Sequence, residues 1–309
     1  MKKPNLFLVG QPRAASTALY SFLKEHPDVF MCYPKEPGYF HSDFNKEIAD
    51  FHKGKQRNKF ENYEAYLELF RDWDKEKYGG DATVHYLYSK VAAEEIYNFN
   101  PDARVVIVLR EPVDFLHSLH SQFFFMGYED EEDFEKAINL EEDRKNGKRI
   151  PKKIEFPSQI FYSDRIKYYE QVKRFYDKFG KDKINMIIFE DFKKDNAGWF
   201  KKLLKFLDVD SSFQPNFELI NETKVLRSRH LRFLTSFIYK WKKIPQAVLP
   251  EKFYAFLKKY IYKATRASAK KELSPELRIE LMKKFKPEVE KISKFLNRDL
   301  VKFWGYDQV

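Results

Sequence analysis

Apolar positions along the chain recur with two periods. Four short runs are almost continuously apolar: Asn5–Gly10, Val29–Cys32, Arg104–Arg110 and Ile184–Phe189. Such runs predict strands covered on both faces, as in a parallel sheet. Between them apolar residues recur at three and four, which predicts helices over Ser16–His26, Lys90–Phe99, Val113–Met126 and Ser163–Phe179. Short strands alternating with longer helices, without a flexible linker, predict one α/β domain over 1–309, built in three layers around a central parallel sheet. The segment Glu129–Pro157 is rich in charge and is expected to form exposed helix and loop on the sheet's rim. From Leu226 onward the pattern is helical with basic and aromatic residues interleaved, so 222–309 is read as a basic helical extension of an α/β core over 1–221.

Composition narrows this picture. Of the 309 residues 43% are hydrophobic, and 31 Phe, 19 Tyr and 4 Trp fill a core that few glycines loosen, which excludes disorder as the main state. A single cysteine, Cys32, excludes a disulfide scaffold and a cysteine-based zinc cluster. The mostly apolar stretch after Met1-Lys2-Lys3-Pro4 is too short for a signal core or a membrane span, so a cytoplasmic location is expected. Net charge is uneven: residues 1–221 carry 35 basic and 38 acidic side chains, residues 222–309 carry 22 and 9. An anionic acceptor or a membrane surface is therefore expected to meet the carboxy-terminal part.

Two strand ends carry candidate chemistry. The first strand runs into Gln11-Pro12-Arg13-Ala14-Ala15-Ser16-Thr17 and then a helix. A tight turn there aims backbone N–H groups and the positive end of the helix dipole at one point, which suits an anion. It is not a nucleotide-triphosphatase loop, since Ala15 and Ser16 stand where the second Gly and the Lys of GxxxxGK[ST] belong. The strand at 104–109 ends in Arg110, not in a metal-binding Asp, and continues Glu111-Pro112-Val113-Asp114-Phe115-Leu116-His117-Ser118. With Pro112 in the first helical turn, Ser118 falls about two turns along, in register to share a phosphate with Arg110.

These residues resemble the sulfotransferases that use 3′-phosphoadenosine 5′-phosphosulfate (PAPS). Gly10-Gln-Pro-Arg-Ala-Ala-Ser-Thr17 is similar to their GxP[RK]xGT[ST] loop, Arg110-Glu-Pro-Val-Asp-Phe-Leu-His-Ser118 to their RxPxDxxxS element, and Lys35-Glu-Pro-Gly-Tyr-Phe40 to the KEPxFF segment of the carbohydrate branch. The similarity continues through Gly80-Asp81-Ala82-Thr83 to Phe189-Glu190-Asp191 and covers roughly 4–235. The resemblance implies a P-loop-like fold, PAPS as donor, adenosine 3′,5′-bisphosphate (PAP) as product, and no metal. It implies that Arg13, the segment Ala14, Ala15, Ser16, Thr17 and Ala18 hold the 5′-phosphosulfate, that Arg110 and Ser118 take the 3′-phosphate, and that Glu36 is the base. A basic element at Asn221, Arg227 and Arg229 is implied to lie against the 3′-phosphate. Ala15 departs from the family's glycine, and glycine permits closer backbone approach to a phosphate.

Each residue also has a plainer reading. Ser118 alone reads equally as a helix serine bonded to a carbonyl one turn back. Glu36 reads equally as an ion-pair partner of Lys35. His85 and His41 are rival bases, because imidazole is suited to proton transfer near neutrality. His117 and His120, without a third ligand, are read as packing or cleft-lining residues. Tyr162 is a candidate for lining the adenine or acceptor cleft. The expected reaction moves a sulfuryl group from PAPS to the hydroxyl of a carbohydrate, a lipid-linked sugar or a small natural product, with Lys35 and Arg13 offsetting developing charge. The rivals are a P-loop kinase or triphosphatase, and a non-catalytic polyanion-binding module. No nucleic-acid motif accompanies the basic part.

Overall fold

The computed structural model describes residues 2–54, 60–217 and 273–309. Its strands are β1 (Leu6–Gly10), β2 (Val29–Met31), β3 (Tyr78–Asp81), β4 (Arg104–Leu109) and β5 (Ile184–Ile188). They form one sheet in the order β2-β3-β1-β4-β5, parallel throughout. The helices that precede β4 are α1 (Ser16–Glu25), α2 (Ser42–Phe51), α3 (Tyr63–Glu68), α4 (His85–Tyr88) and α5 (Ala92–Phe99). They are followed by α6 (Pro112–Met126), α7 (Phe134–Asn139), α8 (Glu141–Lys145), α9 (Tyr162–Arg165), α10 (Tyr168–Phe179), α11 (Phe189–Lys194) and α12 (Asn196–Leu207). After the undescribed stretch come α13 (Pro275–Phe295) and α14 (Leu300–Phe303).

The described residues divide into two compact units. One comprises 2–115, 162–217 and 281–309; the other comprises 116–161 and 273–280. The first contains the whole sheet. Every residue of β1 is buried, as a strand covered on both faces requires. Leu6, Leu8, Val106, Val108 and Ile187 pack with Leu19, Phe22 and Leu23 of α1 and Phe200, Leu203 and Leu204 of α12. Phe7 points the other way and meets Phe40, whose ring also contacts Tyr86 of α4 and Phe99 of α5. The expected α/β architecture around a parallel sheet is therefore present.

Three sequence-based expectations need correction. The sheet has a fifth strand, β3, whose sequence Tyr78-Gly79-Gly80-Asp81 lacks the apolar, β-branched character that marks the others. Its glycines answer to packing: a Cβ on Gly79 would lie 2.4 Å from the Trp73 ring, and one on Gly80 2.3 Å from Met31 Sδ. The helix expected over Ser163–Phe179 is broken into α9 and α10. Buried Gln171 causes the break to be tolerated, since its Nε2 donates to the carbonyls of Asp164 (3.1 Å) and Arg165 (3.2 Å), which a continuous helix would satisfy from its own backbone.

The third correction concerns Glu129–Pro157, which is not simply exposed. In the second unit Phe134, Ala137, Ile138, Ile154 and Phe156 form apolar core. Arg144 and Glu129 are both fully buried and pair through two bonds, of 2.6 and 2.8 Å. Residues fifteen apart leave no helical-spacing signal, so the sequence pattern showed only charge. His117 and His120 pack on Phe134 at 5.1 and 5.4 Å, which matches the first of their two readings, packing or cleft-lining. Among the described residues no helix is long and apolar enough to cross a membrane.

Candidate active site

The first strand end is fixed by β-sheet pairing. Gly10 has φ 147°, and a Cβ there would lie 2.6 Å from Val108 O, so the close approach of β4 requires glycine. Gln11 N donates to Val108 O (2.9 Å) and its side-chain amide donates to Gln171 Oε1 (3.2 Å). The loop then turns through Arg13 (φ 65°) and Ala15 (φ 62°), both left-handed. Ala15 O accepts the first backbone bond of α1, from Leu19 N at 3.0 Å, so the amides of Ser16, Thr17 and Ala18 have no acceptor within the helix. Ser16 is buried and Thr17 exposed, while the Ala14 and Ala18 methyls belong to the core. Ala14 and Ala18 therefore offer a ligand only backbone.

The second strand end is brought onto the first. Arg110 Nη1 donates to Arg13 O at 2.8 Å, and its guanidinium lies 4.7 Å from the Phe189 ring. Arg110 Nε is buried without a hydrogen-bond partner among the described residues. Burial, and then the neighbouring Arg110, hold the Arg13 guanidinium below its ordinary pKa. Two like charges so placed are stabilised by anionic groups of a ligand beside them.

The support of Arg110 was not legible in the sequence. Tyr168 Oη donates to Arg110 O (2.9 Å). The Glu111 carboxylate caps α6 by accepting from Val113 N (3.0 Å) and Asp114 N (2.6 Å), and it also accepts from Tyr306 Oη (2.5 Å). Glu190 accepts from Glu111 N (3.1 Å) and from Trp304 Nε1 (3.0 Å). Burial raises the pKa of both Glu111 and Glu190. The residues joined to these carboxylates from the chain's end are 195 and 114 positions away, beyond the reach of any spacing rule.

Lys35 and Glu36 join the first loop. Lys35 Nζ lies 2.6 Å from Glu36 Oε1 and donates to Ser16 Oγ at 3.4 Å. Glu36 has φ 63°, and its side chain is 39% exposed, open to a second reactant. The rival bases are less suited. His85 is half-buried, and burial, followed by Arg165, His41 and Lys35, pushes its pKa far down. Burial pushes His41 down to about 4. An imidazole of such low basicity is a weak proton acceptor near neutrality.

Tyr162, Ser118 and the basic element complete the candidates. Tyr162 is fully buried at the start of α9, the short helix that ends at Arg165. Ser118 is buried on α6, in the second unit. Asn221, Arg227 and Arg229 lie outside the described residues.

Known proteins are similar to this chain in sequence profile and in fold. Residues 4–215 match the profile described as the sulfotransferase family. The membrane-associated sulfotransferase kil1 of Dictyostelium discoideum is 25% identical over 111 residues, 36% of this chain and 21% of that protein. The match thus spans about a fifth of that curated relative's length. A sulfotransferase from Alicyclobacillus acidocaldarius has a similar structure, with a TM-score of 0.71 at 23% identity, covering 98% of this chain and 99% of the other. At that identity the likeness is one of fold.

Proposed function

Because the chain belongs to the sulfotransferase family, we propose that it transfers a sulfuryl group from PAPS to an acceptor hydroxyl, with Glu36 as general base. The observation that carries this reading is Lys35 Nζ, held between the Glu36 carboxylate (2.6 Å) and Ser16 of the phosphate loop (3.4 Å). One cation thereby couples a solvent-open base to an anion-binding turn. The Nε of Arg110, buried without a partner among the described residues, and the adjacent Arg13 fit an anionic ligand.

PAPS, when bound, supplies the sulfuryl group and departs as PAP. The amides from Ala14 to Ala18, the Ser16 hydroxyl and Arg13 hold the 5′ end, and Arg110 takes the 3′-phosphate. The Glu36 carboxylate accepts the proton of the acceptor hydroxyl as that oxygen forms its new bond. Lys35 and Arg13 offset negative charge growing at the phosphate side, and Arg13 does so as a cation too basic to give up its proton. The acceptor class is a carbohydrate, a lipid-linked sugar or a small natural product. An anionic acceptor or a membrane surface is matched by the 22 basic against 9 acidic residues of 222–309.

Thermal unfolding with nucleotides tests the reading. PAP at 100 times its Kd is expected to stabilise the fold by about 2.7 kcal/mol, and ATP with magnesium far less. Equal stabilisation by ATP, with none from PAP, refutes it. Labelled PAPS offered with a panel of the three acceptor classes then identifies the acceptor.

A further inference from the structure

Beneath the Lys35–Phe40 loop lies a buried carboxylate that the proposed reaction does not use. Asp81, the last residue of β3, is 0% exposed. Its Oδ1 accepts from Thr83 Oγ1 at 2.7 Å, and its Oδ2 accepts from Tyr86 Oη at 2.9 Å and Tyr66 Oη at 3.0 Å. A hydroxyl that donates to a carboxylate has its oxygen lone pairs turned outward as acceptors. Two of these three hydroxyls use them on the loop. Thr83 Oγ1 accepts from Gly38 N (3.4 Å), and Tyr86 Oη accepts from Phe40 N (3.3 Å). The third, Tyr66, stacks its ring on Tyr39 at 4.5 Å with the planes 11° apart. Three successive loop residues, Gly38, Tyr39 and Phe40, therefore rest on groups oriented by one carboxylate.

We propose that Asp81 is a positioning residue for the loop that carries Glu36, acting through the hydroxyls of Thr83 and Tyr86 and the ring of Tyr66. The proposal deepens the reading of Glu36 as base and rests on it for its effect on turnover. The loop needs such a hold, because Glu36 sits at φ 63°, a conformation that a residue with a Cβ keeps only when its surroundings impose it. The hold is costly, since a carboxylate without a counter-cation among its hydrogen-bond partners is enclosed completely. Replacement by Asn keeps the shape, but an amide oxygen and NH2 cannot accept from all three hydroxyls, so at least one must turn and withdraw its lone pair from the loop.

Hydrogen exchange tests the proposal without reference to chemistry. In Asp81→Asn the amides of Gly38 and Phe40 are expected to exchange roughly tenfold faster or more, while those of Leu19 and Leu23 in α1 are unchanged. Thr83→Val is expected to release Gly38 alone, and Tyr86→Phe to release Phe40 alone, which keeps the proposal testable should Asp81→Asn fail to fold. In Asp81→Asn, kcat is expected to fall about tenfold or more with the Kd for PAP within about twofold of wild type. Unchanged exchange at Gly38 and Phe40 overturns the proposal, as does faster exchange spread evenly along the chain. Glu36→Gln, measured alongside, separates the two readings. Full turnover in Glu36→Gln removes the base assignment and leaves exchange to decide the role of Asp81. A low turnover in Glu36→Gln with full turnover in Asp81→Asn removes the positioning role alone.

Discussion

Arg110→Ala should discriminate between nucleotides by the phosphate they carry. The substitution removes a guanidinium whose Nη1 bonds Arg13 O at 2.8 Å, whose Nε is buried without a partner among the described residues, and whose plane lies 4.7 Å from Phe189. A charge-assisted bond to a phosphate contributes about 1.5–3 kcal/mol, or roughly 10- to 150-fold in Kd. The lost cation–π contact, about 0.5–2 kcal/mol, and the lost bond to Arg13 O act on the free protein. Relief of repulsion between Arg13 and Arg110 also acts there, with the opposite sign. None of these three distinguishes one nucleotide from another. Titration calorimetry at fixed ionic strength should therefore give a loss of roughly 10- to 150-fold for PAP and of less than about threefold for adenosine 5′-phosphate, which lacks the 3′ group. Equal weakening of both ligands refutes the assignment and makes Arg110 a structural residue of the Arg13 turn.

Glu36→Gln, which keeps size and hydrogen bonding but removes basicity, should lower kcat by roughly 10²- to 10⁴-fold with PAP affinity nearly unchanged in calorimetry. Burial raises Asp81 from 3.8 to about 6, outweighing the bonds from Thr83, Tyr86 and Tyr66, with Glu36 adding to the rise; Cys32 and the two tyrosines are the other titratable groups nearby. A raised folded-state pKa stabilises the fold fully below the unfolded value of 3.8, and that stability is lost as pH rises through about 6. The stability of wild type minus that of Asp81→Asn, from urea unfolding, should thus fall by about 2 kcal/mol between pH 4 and pH 7, and parallel curves would contradict it. Ala15→Gly should relieve about 1–2 kcal/mol of left-handed strain and lose about 0.4–1 kcal/mol to a looser unfolded chain, a net gain under 2 kcal/mol measurable in urea; a clear loss would mean the methyl's packing on the core dominates.

The parts of the fold legible in the sequence are those enforced by burial on two faces. β1, β2, β4 and β5 each present an apolar run because helices or loops cover both sides. β3 escaped because Gly79 and Gly80 make room for Trp73 and Met31, and the information lies in those partners, 6 and 49 positions from their glycines. The same contrast holds at the site. Arg13 and Arg110 were legible since a charge at the end of a buried strand needs a reason, and Lys35 with Glu36 since they match a known segment. Glu111, Glu190, Trp304 and Tyr306 were not, because their roles arise only when the chain's last residues meet the end of β4. In the Glu129–Pro157 segment, charge suggested solvent, and the pairing of Arg144 with Glu129 removed the need for it.

Some of the backbone strain lies where the chemistry is proposed. Of the non-glycine residues with positive φ, Arg13, Ala15 and Glu36 lie in the two loops joined by Lys35. A left-handed residue with a Cβ costs about 1–2 kcal/mol, so these loops would relax if they stood alone. They do not stand alone. The Arg13 turn is held by β1 pairing at Gly10, by Gln11 on Gln171 and by Arg110 on Arg13 O. The Glu36 turn is held by the bonds from Gly38 and Phe40 to hydroxyls fixed by Asp81. Both sets of restraints trace to strand ends on the same edge of one parallel sheet, where carboxyl-end loops face a ligand crevice. The sheet's stability is thus spent on holding a cation-rich turn and a solvent-open carboxylate in conformations that neither sequence would adopt by itself, and a substitution in the supports should cost turnover before it costs the fold.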